Sequence, residues 1–277
     1  MVEVVRIKIE GRKLIMSTYV MADLHGRFTE LNSLLKKIGF SDSDNLIIAG
    51  DICDRGKENY EMLRWMENNP KNVELIMGNH DEEFIENVYQ LGKISEKNID
   101  LVWCYNELKK QEEYFDYYGT IWELIDKHKI GFEQLKKWAD IMRGFPYLKE
   151  LSVNGKAFIV VHAGYMDEES LMSSPLILNS SMVDIKYMAG AKEVFYTGAR
   201  EEALIVGGKR DTTIIAGHTP TISNGGFYND GKVFRYVREE MNSLIYDIDC
   251  GAGFLELDPL ANMACIRLED EAIFYLK

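Results

Sequence analysis

The 277-residue chain reads as a mixed α/β protein in which parallel strand–helix units lead, a helical stretch follows, and strands return to the end. Three observations predict this. Short β-branched apolar runs alternate with helical periodicity over the first eighty residues. A stretch at about 83–145 carries helical patterns and no clear strand. From about 147 onward, short apolar strands recur.

The elements follow in order. Met1–Glu10 alternates apolar and charged residues, as a half-buried strand does, and lacks the apolar block and cleavage site of a secretory signal. A strand at Tyr19–Ala22 ends at Asp23; helical spacing then runs through Leu31, Leu34, Leu35 and Ile38 to Gly39, a stop signal. A strand at Leu46–Ala49 ends at Gly50 and Asp51 and leads to a helix around Tyr60, Leu63, Trp65 and Met66. Val73–Met77 ends at Gly78, Asn79 and His80, and the next helix begins near Asp81. This alternation predicts βαβ units with right-handed crossovers, and polar residues sit where open α/β sheets place their sites.

The helical stretch carries Trp103, Tyr105 and Leu108, then Trp122, Leu124 and Ile125, then Phe132, Leu135 and Trp138. No Pro/Gly/Ser linker flanks it, so it reads as an insertion within one domain spanning 1–277. Strands at Lys156–Val161 and Thr212–Ala216 end at His162 and at Gly217 and His218. The segment 165–205 reads as loop-rich. Ser243–Asp249, Met263–Leu268 and Ala272–Leu276 read as consecutive antiparallel strands.

Composition narrows the function classes. A hydrophobic content of 46% with only five prolines excludes a disordered or collagen-like chain. With 32 basic and 45 acidic residues the net charge is −13, which argues against non-specific nucleic-acid binding and against anionic membrane surfaces. Four scattered cysteines, Cys53, Cys104, Cys250 and Cys265, form no C-x-x-C pair and read as reduced thiols. No apolar run reaches the roughly 18–20 residues of a membrane helix. A cytoplasmic protein is the expectation.

Five polar clusters close five of these strands: DLHG at 23–26, GDICDRG at 50–56, GNHD at 78–81, VHAG at 161–164 and GHT at 217–219. Four of the five histidines lie in them, and only His128 is left over. Oxygen and nitrogen donors without thiolate suit manganese, iron, zinc or nickel. One carboxylate can bridge two ions ~3.5–4 Å apart, the arrangement of two-metal phosphoesterases.

The series D-x-H-G, G-D-x-x-D-R-G, G-N-H-D, V-H-A-G and G-H-T resembles the calcineurin-like metallophosphoesterases, and within them the phosphoprotein phosphatase group and its bacterial members. The resemblance spans roughly 19–254, least well over the insertion. It implies a central β-sandwich flanked by helices, with ligands at the carboxyl ends of the strands. It also implies two divalent ions, manganese being expected to support activity in vitro. Asp23 and His25 would hold the first, Asp51 would bridge both, and Asn79, His162 and His218 would hold the second. His80 would be the general acid, oriented by Asp54, and Arg55 would grip the phosphoryl oxygens, with Asn79 also facing substrate. Arg200 is the candidate for a second phosphate-binding arginine, in a distorted version of its usual motif. Asp249 and Cys250 fall in the final strand-to-loop segment, where backbone support is expected rather than catalysis.

Blander readings stand beside these. Asp23 and His25 alone would pass for a polar loop and Asn79 for a turn residue. His162 could be a satisfied core histidine, Asp54 and Arg55 a structural pair, and Arg200 a surface charge. Cys53 lacks the C-x5-R spacing of a cysteine phosphatase and reads as packing. The function expected first is hydrolysis of phosphomonoesters, above all phosphoserine and phosphothreonine in proteins, by a water that the ions acidify. The alternative is symmetrical hydrolysis of dinucleoside tetraphosphates, with the insertion holding an adenine ring. A different class, an inactive scaffold of the same fold, predicts missing ligands, and every ligand position is filled.

Overall fold

The computed structural model describes residues 16–95, 100–167, 185–187, 193–196, 208–222 and 230–276. The expected strand at Met1–Glu10 and the candidate Arg200 lie outside the described residues.

Two five-stranded mixed sheets face each other. The first has the order β13-β12-β1-β2-β3, from β1 (Thr18–Met21), β2 (Asn45–Ala49), β3 (Val73–Ile76), β12 (Met263–Arg267) and β13 (Ala272–Leu276). The second has the order β10-β11-β9-β5-β4, from β4 (Leu148–Val153), β5 (Lys156–Val161), β9 (Thr212–Ala216), β10 (Phe234–Arg238) and β11 (Ser243–Asp247). Strands β1, β2 and β3 run parallel, as do β5, β9 and β11. Their carboxyl ends supply the polar clusters.

The period-2 geometry of a strand sorts each apolar run into two cores. Val20, Ala22, Ile47 and Ala49 of the first sheet meet Phe158, Val160, Ile215 and Tyr246 of the second, filling the sandwich. The intervening residues Tyr19, Met21, Leu46 and Ile48 face the helices instead. Strands buried on both sides read as unbroken apolar runs, which is what β1 and β2 show.

Helices cover that outer face. Helix α1 (Phe28–Ile38) buries Leu31 and Leu34 and stops at Gly39, whose φ of 70° closes the last turn. Helix α2 (Asn59–Glu67) buries Met62, Leu63 and Met66. Helices α3 (Asn79–Ser95), α4 (Leu101–Gln111), α5 (Thr120–Asp126) and α6 (Phe132–Met142) form the insertion. Asn79, His80 and Asp81 of the GNHD cluster therefore form the first turn of a seventeen-residue helix, which carries the insertion directly off the site.

Two expectations change. The stretch 165–205 is not wholly loop: its described residues form a three-stranded antiparallel sheet of order β6-β8-β7, from β6 (Gly164–Asp167), β7 (Ile185–Tyr187) and β8 (Glu193–Tyr196). Nor are the last three predicted strands one meander. β11 pairs antiparallel with β10 and parallel with β9, whereas β12 and β13 form a hairpin on the other sheet. The chain crosses between sheets over residues 248–262, turning at Gly251 with φ 86° and a short 3-10 turn at Ala252–Phe254.

Candidate metal centre

The five strand-end loops converge on one point, and their backbones are forced to do so. Asp23, His25, Asp51, Asp54, Arg55 and His218 all have positive φ, between 44° and 74°. Left-handed backbone costs an L-residue about 1–2 kcal/mol, least for Asp and Asn, so the loops store strain where their side chains are aimed. Hydrogen bonds stitch the first two loops together: Asp23 N–H donates to Gly50 O (3.1 Å), His25 N–H to Asp51 O (2.9 Å) and Gly26 N–H to Ile52 O (2.8 Å). A Cβ at Gly78 would collide with Asp51, and one at Gly217 with Asp23, which is why a glycine stands beside each.

Around Asp51 two groups of donor atoms assemble. On one side Asn79 Oδ1 lies 2.9 Å from both His162 Nε2 and His218 Nδ1, these nitrogens are 3.2 Å apart, and Asp51 Oδ1 is 3.4 Å from His162 Nε2. On the other side Asp51 Oδ2 is 3.7 Å from His25 Nε2. His162 Nδ1–H donates to Ala49 O and His25 Nδ1–H to Cys53 O, both at 2.9 Å. That fixes the tautomers and turns the Nε2 lone pairs inward, as ligating histidines require. Burial lowers His25 and His218 to about 3, so both imidazoles are neutral at physiological pH.

Asp23 accepts from His218 N–H through Oδ2 (2.9 Å), while its Oδ1 is buried with no hydrogen-bond partner. Burial, reinforced by Asp249 and Asp51, raises Asp23 well above the ordinary carboxylate range. An orphaned carboxylate oxygen beside inward-facing lone pairs is a donor set that a cation satisfies and a proton does so poorly. The residues fit two divalent ions: Asp23, His25 and Asp51 for one, and Asp51, Asn79, His162 and His218 for the other.

The acid–base and anion-gripping groups sit alongside. His80 Nδ1 bonds Asp54 Oδ2 at 2.8 Å, and the two Arg55 Nη atoms lie 3.0 Å from His25 Nε2 and 3.1 Å from His80 Nε2. Burial works to lower His80, but Asp51 and Asp54 outweigh it and hold its pKa above the ordinary value. The Arg55 guanidinium is clasped between the Phe254 ring (5.0 Å) and the Tyr118 ring (5.5 Å). Every candidate named from the sequence, Arg200 apart, is thus brought within this cluster.

Three residues at the site, Asp81, Thr120 and Tyr118, were not assigned roles from sequence, and Asp249 was expected only to support the backbone. Asp81, fully buried, accepts from Asp51 N–H and Gly78 N–H through Oδ2 and from Ile52 N–H through Oδ1, locking two loops together. Its place in GNHD was the available signal. Asp249 is buried with Oδ1 on Gly251 N–H, its Oδ2 without a partner, and its pKa raised to about 6, chiefly by burial. Thr120, at the start of α5, donates its hydroxyl to Asp54 Oδ1. Tyr118 stands 4.9 Å from His80 ring to ring. A threonine and a tyrosine inside a helical stretch carry no motif. His128 proves to be a packed residue, stacked on Tyr60 at 4.3 Å.

Comparison with known proteins agrees with this geometry. The model of the calcineurin-like phosphoesterase family matches residues 16–248. The chain belongs to that family of metal-dependent phosphate-ester hydrolases. Among curated relatives, a protein of Buchnera aphidicola subsp. Baizongia pistaciae named "Bis(5'-nucleosyl)-tetraphosphatase, symmetrical" is 42% identical over 84 residues, 30% of each chain. One of the same name from Haemophilus ducreyi is 38% identical over 80 residues, 28% of this chain and 30% of its own. The match thus spans under a third of these relatives' length. A crystal structure described as a candidate diadenosine tetraphosphatase superposes with a TM-score of 0.51 at 13% identity, over 95% of this chain and 94% of that one, a likeness of fold alone. No helix among the described residues is long and apolar enough to cross a membrane.

Proposed function

We propose that the protein hydrolyses dinucleoside tetraphosphates symmetrically, water and one tetraphosphate giving two nucleoside diphosphates. The chemistry rests on one observation: two donor sets face each other across the two oxygens of Asp51. The substrate rests on the names of the relatives, which favour this reading over the protein-phosphatase activity expected first.

Bound divalent ions would supply Lewis acidity toward the phosphates and bring the pKa of water toward neutrality. Asp23, His25 and Asp51 would hold one, and Asp51, Asn79, His162 and His218 the other. Arg55 grips the phosphoryl oxygens; its planar fork matches them, and the aromatic faces of Phe254 and Tyr118 keep it aimed. His80, steadied by Asp54, donates a proton from Nε2 to the departing diphosphate oxygen.

The test is turnover with Mn²⁺ of diadenosine tetraphosphate and a phosphothreonine peptide in parallel. The expected result is preference for the dinucleotide with ADP as its only nucleotide product. Preference for the peptide, or AMP with ATP as products, overturns the proposal.

A further inference from the structure

A cavity of about 420 Å³ opens beside the reaction centre, within the size range of small-molecule sites. One wall is the α3 face carrying Glu83 and Glu86. The other is the α4–α5 connection, with Glu112, Tyr114, Tyr117 and Tyr118. The three tyrosines are 74%, 63% and 40% exposed, and their rings touch in sequence: Tyr114 to Tyr117 at 6.5 Å, Tyr117 to Tyr118 at 5.0 Å. Tyr118 belongs to both places, since its ring also meets His80 and Arg55.

The chemistry of a ligand follows from that arrangement. Its phosphate end lies on Arg55, so the part beyond Tyr118 is a group attached to phosphate. Exposed aromatic rings offer stacking, so that group is flat. The carboxylates of Glu83, Glu86 and Glu112 only accept hydrogen bonds, while the amides of Asn87 and Gln90 both accept and donate, so the lining as a whole favours an edge with donors. Purines with amino groups meet all three conditions. Uracil meets them less well: its one N–H lies between two carbonyls, where an amino group offers two donors, and its single ring has less stacking area than a purine.

We infer that this cavity is a nucleobase subsite selective for amino-bearing purines. The inference rests on the dinucleotide reading above. The test compares diadenosine, diguanosine and diuridine tetraphosphates, with tripolyphosphate as the base-free control, on the native protein and on Tyr117→Leu and Tyr117→Phe. Both purine substrates should exceed diuridine tetraphosphate at least tenfold in kcat/KM. Tyr117→Leu should raise KM for diadenosine tetraphosphate about tenfold more than KM for tripolyphosphate, and Tyr117→Phe, which keeps the ring, should restore it. Equal turnover of the three dinucleotides, or equal shifts for dinucleotide and tripolyphosphate, overturns the subsite and leaves the dinucleotide reading intact. Turnover of tripolyphosphate with none of the dinucleotides removes that reading and the subsite with it.

Discussion

The strand-end loops and the helical insertion are built on opposite terms. The loops hold six left-handed side-chain-bearing residues and the buried carboxylates of Asp23, Asp51, Asp81 and Asp249 around one point. The helices of the insertion are largely satisfied packing. Among its described residues only the first turn of α3, the α4–α5 connection and the start of α5 reach the site, the last two through Tyr118 and Thr120. Leu135, Trp138, Ala139 and Met142 are fully buried along one face of α6, the Trp138 indole donates to Glu67 (2.9 Å), and Asp100 caps α4 through Trp103 N–H (3.0 Å). Packing is concentrated in the helices away from the reacting groups, and the loops are held in unfavourable backbone and charge states by the sheets beneath them.

Substitutions should separate the two regions. Asp51→Asn, which removes the negative charge between the donor sets and leaves one acceptor oxygen in place of two, should lower Mn²⁺-supported kcat by about 10³-fold or more with the fold intact by circular dichroism. Near-normal turnover would remove the bridging role. Trp138→Ala should do the converse, costing about 3–5 kcal/mol in urea unfolding while kcat of the folded fraction stays within about twofold. His80→Ala should cost about 10²-fold on alkyl phosphates and much less on aryl phosphates with good leaving groups; equal losses would argue against a general acid there.

Asp249→Asn tests the electrostatic side. A carboxyl raised to about 6 in the folded state loses stability as pH climbs from its unfolded value through 6, so at pH 8 its charge is a full burden. The amide can still accept from Gly251 N–H. In chelator-treated protein the variant should melt roughly 4–8 °C higher at pH 8, from a gain of about 2 kcal/mol, with no gain at pH 4. A gain unchanged between the two pH values would assign it to packing. The smallest expected effect crosses the divide: Thr120→Val, in the insertion, should lower kcat about fivefold without moving KM, by freeing Asp54 from one of its two partners. Thr120→Ser should restore it, and an unchanged kcat in the valine variant would confine Thr120 to packing.

What the sequence disclosed follows the same division. Residues that need a special backbone and a chemical donor at once leave short, dense motifs, and DLHG, GDICDRG and GNHD located their loops and side chains. The three leading βαβ units were legible because their strands are buried on both faces. Strand β10 was not, since Phe234–Arg238 lies at a sheet edge and is largely exposed, its charges masking the alternation. The partner of β11 was misread because pairing is a property of the turn at Gly251, not of the strand's own residues. Thr120 and Tyr118 reach the site only through the path of the insertion, which periodicity does not specify.

The bond from His218 N–H to Asp23 joins positions 195 apart in the chain. At about 5–20 residues per second of synthesis, Asp23 precedes His218 by roughly 10–40 s. During that interval Asp23, His25 and Asp51 are made and waiting, while β9, the strand that ends at His218, does not yet exist. Closure of the centre is thus a late, long-range event in the life of each new molecule, and capture of its ions is tied to the moment the second sheet docks on the first.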